Sequence, residues 1–304
     1  MPILRRLDKR PSNLVALLKD RAEVLGESCY LIFGSKGVTF ARLYDQARRM
    51  AAVLRSKGVA PGDRVCIWTY NCPEFMIGYF GTLFCGAVAV PVNVMFKRDE
   101  AKFIAADSGA QVLVCSSEKL DDAHNIKMRV DSLNTVLSFS FSRDHHPDVI
   151  DLYAAIDAAG PVDGEQAAAS IHPDAPAQVI YTSGTTGKPK GACLSHANLL
   201  SNITDILQSI NVRDTDRFIC LLPMFHSFAL TVCILLPLFV GVRTVLFRAI
   251  RPFKRVLRSV RRNRITIFVG IPPIFNVLKE TRLPWFLRGG VIKLVSPLRL
   301  CISG

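Results

Sequence analysis

The sequence predicts an α/β fold of mostly parallel sheets with flanking helices, and three observations predict it. Strand and helix patterns alternate from about residue 39 to 115, joined by short connections. The joints carry glycine, proline or aspartate, the residues that end elements. Half of the 304 residues are hydrophobic and 21% are charged, which supplies a sizeable core.

The elements follow in order. Thr39 precedes a helix whose apolar positions Leu43, Ala47, Met50, Ala51 and Leu54 recur at helical spacing, and Lys57-Gly58 closes it with a basic last turn and a C-cap glycine. Pro61-Gly62-Asp63 is a turn, and 64–69 reads as a buried strand. Pro73-Glu74 opens a helix through about Phe84 that Gly86 ends; a strand over 87–92, a helix over 98–106 and a strand over 111–115 follow. Strands joined through helices in this way pair in parallel. From 116 to 176 the signal weakens to a strand at 135–139, a polar turn at 143–148, a short helix at 152–158 and an Ala/Pro/Asp-rich connection. Two subdomains, about 1–175 and 176–304, are expected on either side of it.

Several classes of protein fall away. The nine cysteines are scattered singly with no CxxC pair, so they read as buried thiols of a reducing compartment, without zinc or disulfides. His145-His146 sits in the polar turn without a carboxylate or thiol at ligand spacing, so no metal site is expected. The basic N-terminus leads into no long apolar run, which argues against a cleaved signal. The longest apolar stretch, 228–242, contains Pro237 and Gly241 and falls short of the roughly 18–20 residues of a membrane span, so a buried helix is expected there.

The informative segment runs Val179-Ile180-Tyr181-Thr182-Ser183-Gly184-Thr185-Thr186-Gly187-Lys188-Pro189-Lys190-Gly191. An apolar strand enters it, and hydroxyls, glycines and lysines crowd the next ten positions without an acid. Glycines let backbone N–H groups approach phosphate oxygens, hydroxyls add neutral donors, and lysine adds a compact charge. The loop therefore suits a polyphosphate. It is not the ordinary P-loop, because Gly184 and Gly187-Lys188 are spaced too closely and Pro189 follows the lysine. Ala192-Cys193-Leu194 then reads as strand, and Ser195 as the N-cap of a helix over 197–208.

This string closely resembles the signature loop of the adenylate-forming superfamily, which includes acyl-CoA synthetases, luciferases and peptide-synthetase adenylation domains. Other segments agree in order: Gly58-Val59-Ala60-Pro61-Gly62-Asp63-Arg64-Val65, Asn71-Cys72-Pro73-Glu74-Phe75, Gly86-Ala87-Val88-Ala89-Val90-Pro91-Val92-Asn93, Asp107-Ser108-Gly109-Ala110 and Pro223-Met224-Phe225-His226-Ser227. The likeness spans about 38–304. It implies the large N-terminal domain of that fold, incomplete at its C-terminus. The rest of the adenine loop, the threonine and glutamate motif for phosphate and magnesium, the ribose-binding aspartate and the C-terminal lid domain with its catalytic lysine are expected to be absent.

The resemblance also implies chemistry. A carboxylate would attack the α-phosphate of ATP to give an acyl-adenylate and pyrophosphate, and coenzyme A would then displace AMP, with Mg2+ beside the phosphates. Thr182, Ser183, Gly184, Thr185, Thr186, Gly187 and Lys188 would hold the β- and γ-phosphates, Lys188 also serving catalysis. His226 would lie beside the phosphates and the substrate carboxylate. Gly270-Ile271-Pro272-Pro273 resembles the stretch ahead of an acyl-pocket helix, and Ser303 and Gly304 the start of the loop that packs on adenine. The apolar flanks of His226 and the Phe228–Val242 run resemble those of long-chain fatty acid activators more than those of aryl or amino acid ones.

The charge of +13 is concentrated, since no acidic residue lies between Asp216 and Glu280. Pro252 fits the first turn of a helix with Phe253, Val256, Leu257 and Val260 on one face and Lys254, Arg255, Arg258, Arg261 and Arg262 mainly on the other. That face suits solvent or an anionic partner: a lipid surface, an acyl carrier protein or coenzyme A. Nucleic acid is not expected, for want of a recognition motif. The expected location is the cytoplasm, with contact at the inner face of the membrane left open. Two alternatives to a ligase also stay open: a nucleotide- or acyl-binding remnant without turnover, and a basic peripheral membrane-binding protein.

Overall fold

The computed structural model describes residues 11–140, 146–182, 189–280 and 298–303. After a helix over Leu14–Leu25 come the strands β1 (Cys29–Phe33) and β2 (Lys36–Thr39), then β3 (Arg64–Trp68), β4 (Val88–Pro91), β5 (Ala110–Ser116), β6 (Thr135–Phe139) and β7 (Ile150–Asp151). The hairpin of β8 (Pro176–Thr182) and β9 (Lys190–Ser195) follows, then β10 (Arg217–Cys220), β11 (Arg243–Leu246), β12 (Ile267–Gly270) and β13 (Leu300–Ser303). The elements expected between 39 and 116 are present to within a residue, as are the strand at 135–139 and the helix Leu152–Ala158. Of the polar turn expected at 143–148, residues 143–145 lie outside the described residues, and a turn is present at 147–148.

Two sheets result. A seven-stranded sheet has the order β7-β6-β5-β3-β4-β8-β9, and a six-stranded sheet the order β13-β12-β10-β11-β1-β2. All pairings are parallel except β8 with β9 and β1 with β2. The mostly parallel α/β architecture is therefore observed. The sheets do not divide at residue 175: β8 and β9 complete the sheet of β3–β7, while β1 and β2 join β10–β13.

Side-chain alternation explains why the seven-stranded sheet is buried on both faces. Val65 and Ile67 of β3, with Val112 and Val114 of β5, enter the large core that also holds the helices Phe40–Ser56 and Pro73–Phe84. Cys66, Trp68, Leu113 and Cys115 point the other way, into a second core with Ile104, Leu120 and Ile126 of the helices outside. Helix ends are set locally. Thr39 Oγ1 accepts from Arg42 N–H, and Ser195 and Asn198 form a reciprocal capping box at the start of His196–Ser209.

The apolar stretch 228–242 is buried and helical, but not one regular helix. Between Ser227–Ala229 and Leu236–Val240 the backbone forms a π-helical turn over Leu230–Leu235, where Leu236 N–H reaches back to Thr231 O. Pro237 explains the departure, because it has no N–H for the carbonyl of Cys233. Thr244 Oγ1 satisfies that carbonyl at 2.8 Å, and Tyr30 OH satisfies Ile234 O at 2.9 Å. Gly241 ends the run in the left-handed conformation, φ 82°. No helix of the described residues is long and apolar enough to cross a membrane.

Two further expectations need correction. Cys193 and Cys301 are exposed and Cys29 half-buried, while the other six free cysteines are buried. Cys193 lies on β9 and Cys301 on β13, the strands at the sheet edges, which burial on both sides does not reach. Pro252 precedes the basic helix, which runs Phe253–Arg262, and does not lie within its first turn.

Candidate functional site

Parallel pairing aligns the strand ends that matter. Thr182 is the last residue of β8 and Ser303 the last of β13, and His226 lies six positions past the end of β10. In open parallel sheets, ligands bind outside the carboxyl ends of the strands. All three side chains are exposed there. Ser183, Gly184, Thr185, Thr186, Gly187, Lys188 and Gly304 lie outside the described residues.

The carboxyl edges of the two sheets meet. Asn71, just beyond β3, hydrogen-bonds to Leu222 O and Phe247 O, beyond β10 and β11, at 2.9 and 3.0 Å. Arg248 stacks over the Tyr70 ring, 4.4 Å from its centre, and pairs with Glu118 beyond β5. The end of β8 at Thr182 and the His226 loop after β10 thus lie at the carboxyl ends of two sheets that Asn71 and Arg248 tie together.

Local structure prepares the string's two stems. Tyr181 OH donates to Asp107 Oδ2 at 2.6 Å, anchoring the end of β8 to the helix Arg98–Asp107; burial and the adjacent carboxylate both raise the phenol's pKa. Across the hairpin, Thr182 faces Lys190 and Tyr181 faces Gly191. A Cβ at Gly191 would stand 2.8 Å from Val179 Cγ1, so the strand needs glycine there.

His226 caps a turn, with its N–H on Pro223 O at 3.1 Å and its own carbonyl receiving Leu230 N–H at 2.9 Å. Its ring packs on Phe225, centres 4.4 Å apart, while remaining exposed. Partial burial lowers its pKa below 6.5, so the imidazole is neutral at neutral pH and can accept or donate one hydrogen bond. Among the described residues no cluster of three or more His, Cys, Asp and Glu is placed to hold a metal ion. Sequence reasoning quoted Asn71 and Asp107 within motifs without a role, counted Arg248 only as part of the basic excess, and passed over Tyr70.

The sequence profile of AMP-binding enzymes matches residues 18–304. The chain belongs to the AMP-binding enzyme family. Feruloyl-CoA synthase of Amycolatopsis sp. is 31% identical over 85% of this chain and 48% of its own length. A long-chain-fatty-acid–CoA ligase of Mycobacterium tuberculosis is 30% identical over 88% of this chain and 51% of its own. The crystal structure of an anthranilate CoA ligase in complex with anthranoyl-AMP superposes with a TM-score of 0.84 at 27% identity, covering 97% of this chain and 55% of that one. The chain spans about half the length of the curated relatives it matches. Those relatives are named for aromatic as well as fatty acids, so family membership does not single out the fatty acid that the sequence leaned towards.

Proposed function

We propose that this protein serves the ATP-dependent activation of a carboxylic acid, forming an acyl-adenylate and then a thioester with coenzyme A. The observation that supports the reading is that Thr182 ends β8 and the His226 loop follows β10, each at the carboxyl end of its sheet, with Asn71 bonding the two sheets at those ends. In the first step a carboxylate oxygen bonds to the α-phosphorus of ATP and the bond to the β-phosphate oxygen breaks, releasing pyrophosphate. In the second, the sulfur of coenzyme A attacks the acyl carbonyl and AMP leaves. The hydroxyls and backbone amides of Thr182, Ser183, Gly184, Thr185, Thr186 and Gly187, with the Lys188 ammonium, suit the β- and γ-phosphates; Mg2+ would add charge neutralisation there. Neutral His226 would hydrogen-bond at the α-phosphate and the substrate carboxylate, and Ser303 and Gly304 would border adenine.

A fatty acid is the preferred substrate class, because the helical run behind His226, from Ala229 to Val240, is buried and almost wholly apolar. The test is acid-dependent pyrophosphate release with ATP and Mg2+, across acids from acetate to palmitate and ferulate, beside Lys188→Ala. Turnover that prefers long acyl chains and is lost in the variant is expected. Preference for ferulate would overturn the fatty-acid assignment, and no turnover with any acid would favour a binding role without catalysis.

A second reading concerns partners. Lys254, Arg255, Arg258, Arg261, Arg262 and Arg264 are all exposed, and none has a salt-bridging carboxylate among the described residues. Phe253, Val256 and Val260 are committed to the core, so contact through this helix would be electrostatic, without insertion. An anionic bilayer at the inner face of a membrane or an acidic acyl carrier protein fits this face. Sedimentation with anionic vesicles that weakens as salt rises would support the first.

A further inference from the structure

Asn71 joins the two sheets through hydrogen bonds from both ends of its side-chain amide. It lies three residues beyond β3, before the helix Pro73–Phe84, and is 5% exposed. Its Nδ2 donates to Leu222 O at 2.9 Å and to Phe247 O at 3.0 Å, while Met224 N–H donates to its Oδ1 at 2.8 Å. Both donor hydrogens and the oxygen are engaged, which fixes the orientation of the amide. Turned over, its oxygen would face two carbonyl oxygens and its nitrogen an N–H. An aspartate would meet the same two carbonyls with no proton to give.

The bonds fall on a particular piece of chain. Leu222 O and Met224 N flank Pro223, and Pro223 O closes the turn by accepting His226 N–H at 3.1 Å. Phe247 N–H in turn donates to Cys220 O at 3.0 Å, so both stems of the loop region are tied to one another as well as to Asn71. The geometry points to Asn71 as a positioning residue that holds the Pro223–His226 turn, and with it the His226 ring, at the edge where the polyphosphate string leaves β8. Its bearing on turnover rests on the proposed function; its bearing on the position of His226 does not.

The experiment uses the whole chain labelled with 15N-histidine, in wild-type form and as Asn71→Gln and Asn71→Asp, with His226→Gln to assign the ring signals. Histidine titrations are followed by NMR, and acid-dependent pyrophosphate release is measured on the same samples. In the variants the His226 pKa should move up towards 6.5 as the turn loosens and the ring gains water, while the other histidines titrate as before. The maximal rate should fall about tenfold to a hundredfold at little change in KM for ATP, less for the glutamine than for the aspartate.

A His226 titration that does not move in folded variants would overturn the inference, and so would an unchanged maximal rate in an active enzyme. Failure of both variants to fold would make Asn71 a residue of the fold and equally overturn it. Should His226 respond to both variants while wild-type protein releases no pyrophosphate with any acid, the positioning role stands and the proposed activity falls.

Discussion

The two ends of the six-stranded sheet are both polar, yet they use polarity in opposite ways. At the amino end, Asp216 is 3% exposed and its bonds close on one another. It accepts from Arg213 N–H at 2.7 Å, from Thr266 Oγ1 at 2.7 Å and from the Arg299 guanidinium, which also reaches Asn211 O. At the carboxyl end, His226 and Ser303 are exposed, and the backbone behind His226 is tied down by the neutral amide of Asn71. A closed set of charges holds strands together; an open set, fixed from behind, leaves donors and acceptors for a ligand. The difference is one of where hydrogen-bonding capacity has already been used.

The largest effect that would break this comparison is at the closed end. Burial pushes the Asp216 carboxyl up, but Arg299, the Arg213 amide and Thr266 outweigh it and hold its pKa below the ordinary carboxylate value. Asp216→Ala would leave the Arg299 charge and two donors without their acceptor. The expected loss is about 3–5 kcal/mol of stability, read from urea unfolding. A loss below about 1 kcal/mol, the range of exposed ion pairs, would mean that the amino end is as open as the other.

A buried histidine sharpens the contrast with His226. His196 is 1% exposed, and its Nδ1 accepts Leu14 N–H at 3.2 Å, filling one of the donors left free at the start of the helix Leu14–Leu25. Burial lowers its pKa from 6.5 to about 4. Above pH 6.5 the ring is neutral in both folded and unfolded chains, and the contribution is complete. As pH falls from 6.5 towards about 4, the unfolded chain takes up a proton that the folded site refuses, so stability falls across that window. The size is on the order of 3 kcal/mol. Comparing unfolding of wild type and His196→Asn between pH 7 and pH 4 should show a shallower decline in the variant; parallel declines would remove His196 from the acid response.

What could be seen in the sequence follows the range of the interactions involved. The elements of residues 39–116 were legible because periodicity, caps and turns are local, and the Ser/Thr/Gly/Lys string after β8 could be singled out because its donors are consecutive. The helix Leu14–Leu25 and the strands β1 and β2 were not proposed: β1 is five residues long, and its parallel partner β11 lies more than two hundred residues away. Asn71 could be quoted as part of a motif but not given a role, since Leu222, Met224 and Phe247 lie 151, 153 and 176 residues further along. The π-helical turn had a local sign in Pro237, but the groups that satisfy the freed carbonyls, Tyr30 and Thr244, come from two other strands. The sheet shared by β3–β9 likewise depends on β8 returning beside β4, which no spacing within either segment announces.

The smallest expected effect lies at the open end, and its smallness is the point. His226→Gln removes a ring that packs on Phe225 but remains exposed, and the glutamine can still offer one donor and one acceptor to a ligand. The backbone bonds to Pro223 O and from Leu230 N–H survive the change, so stability should stay within about 0.5 kcal/mol of wild type. Pyrophosphate release, where the wild type shows it, should nevertheless fall, because the substituted amide is less rigid than an imidazole at the same turn and aims its donor and acceptor differently. A stability loss comparable to that of Asp216→Ala would show that His226 belongs to the scaffold, and that the two ends of the sheet do not differ in kind. A silent unfolding curve with reduced turnover would place the hydrogen-bonding capacity of the carboxyl end in the service of the ligand, where the exposed ring and the buried amide behind it point.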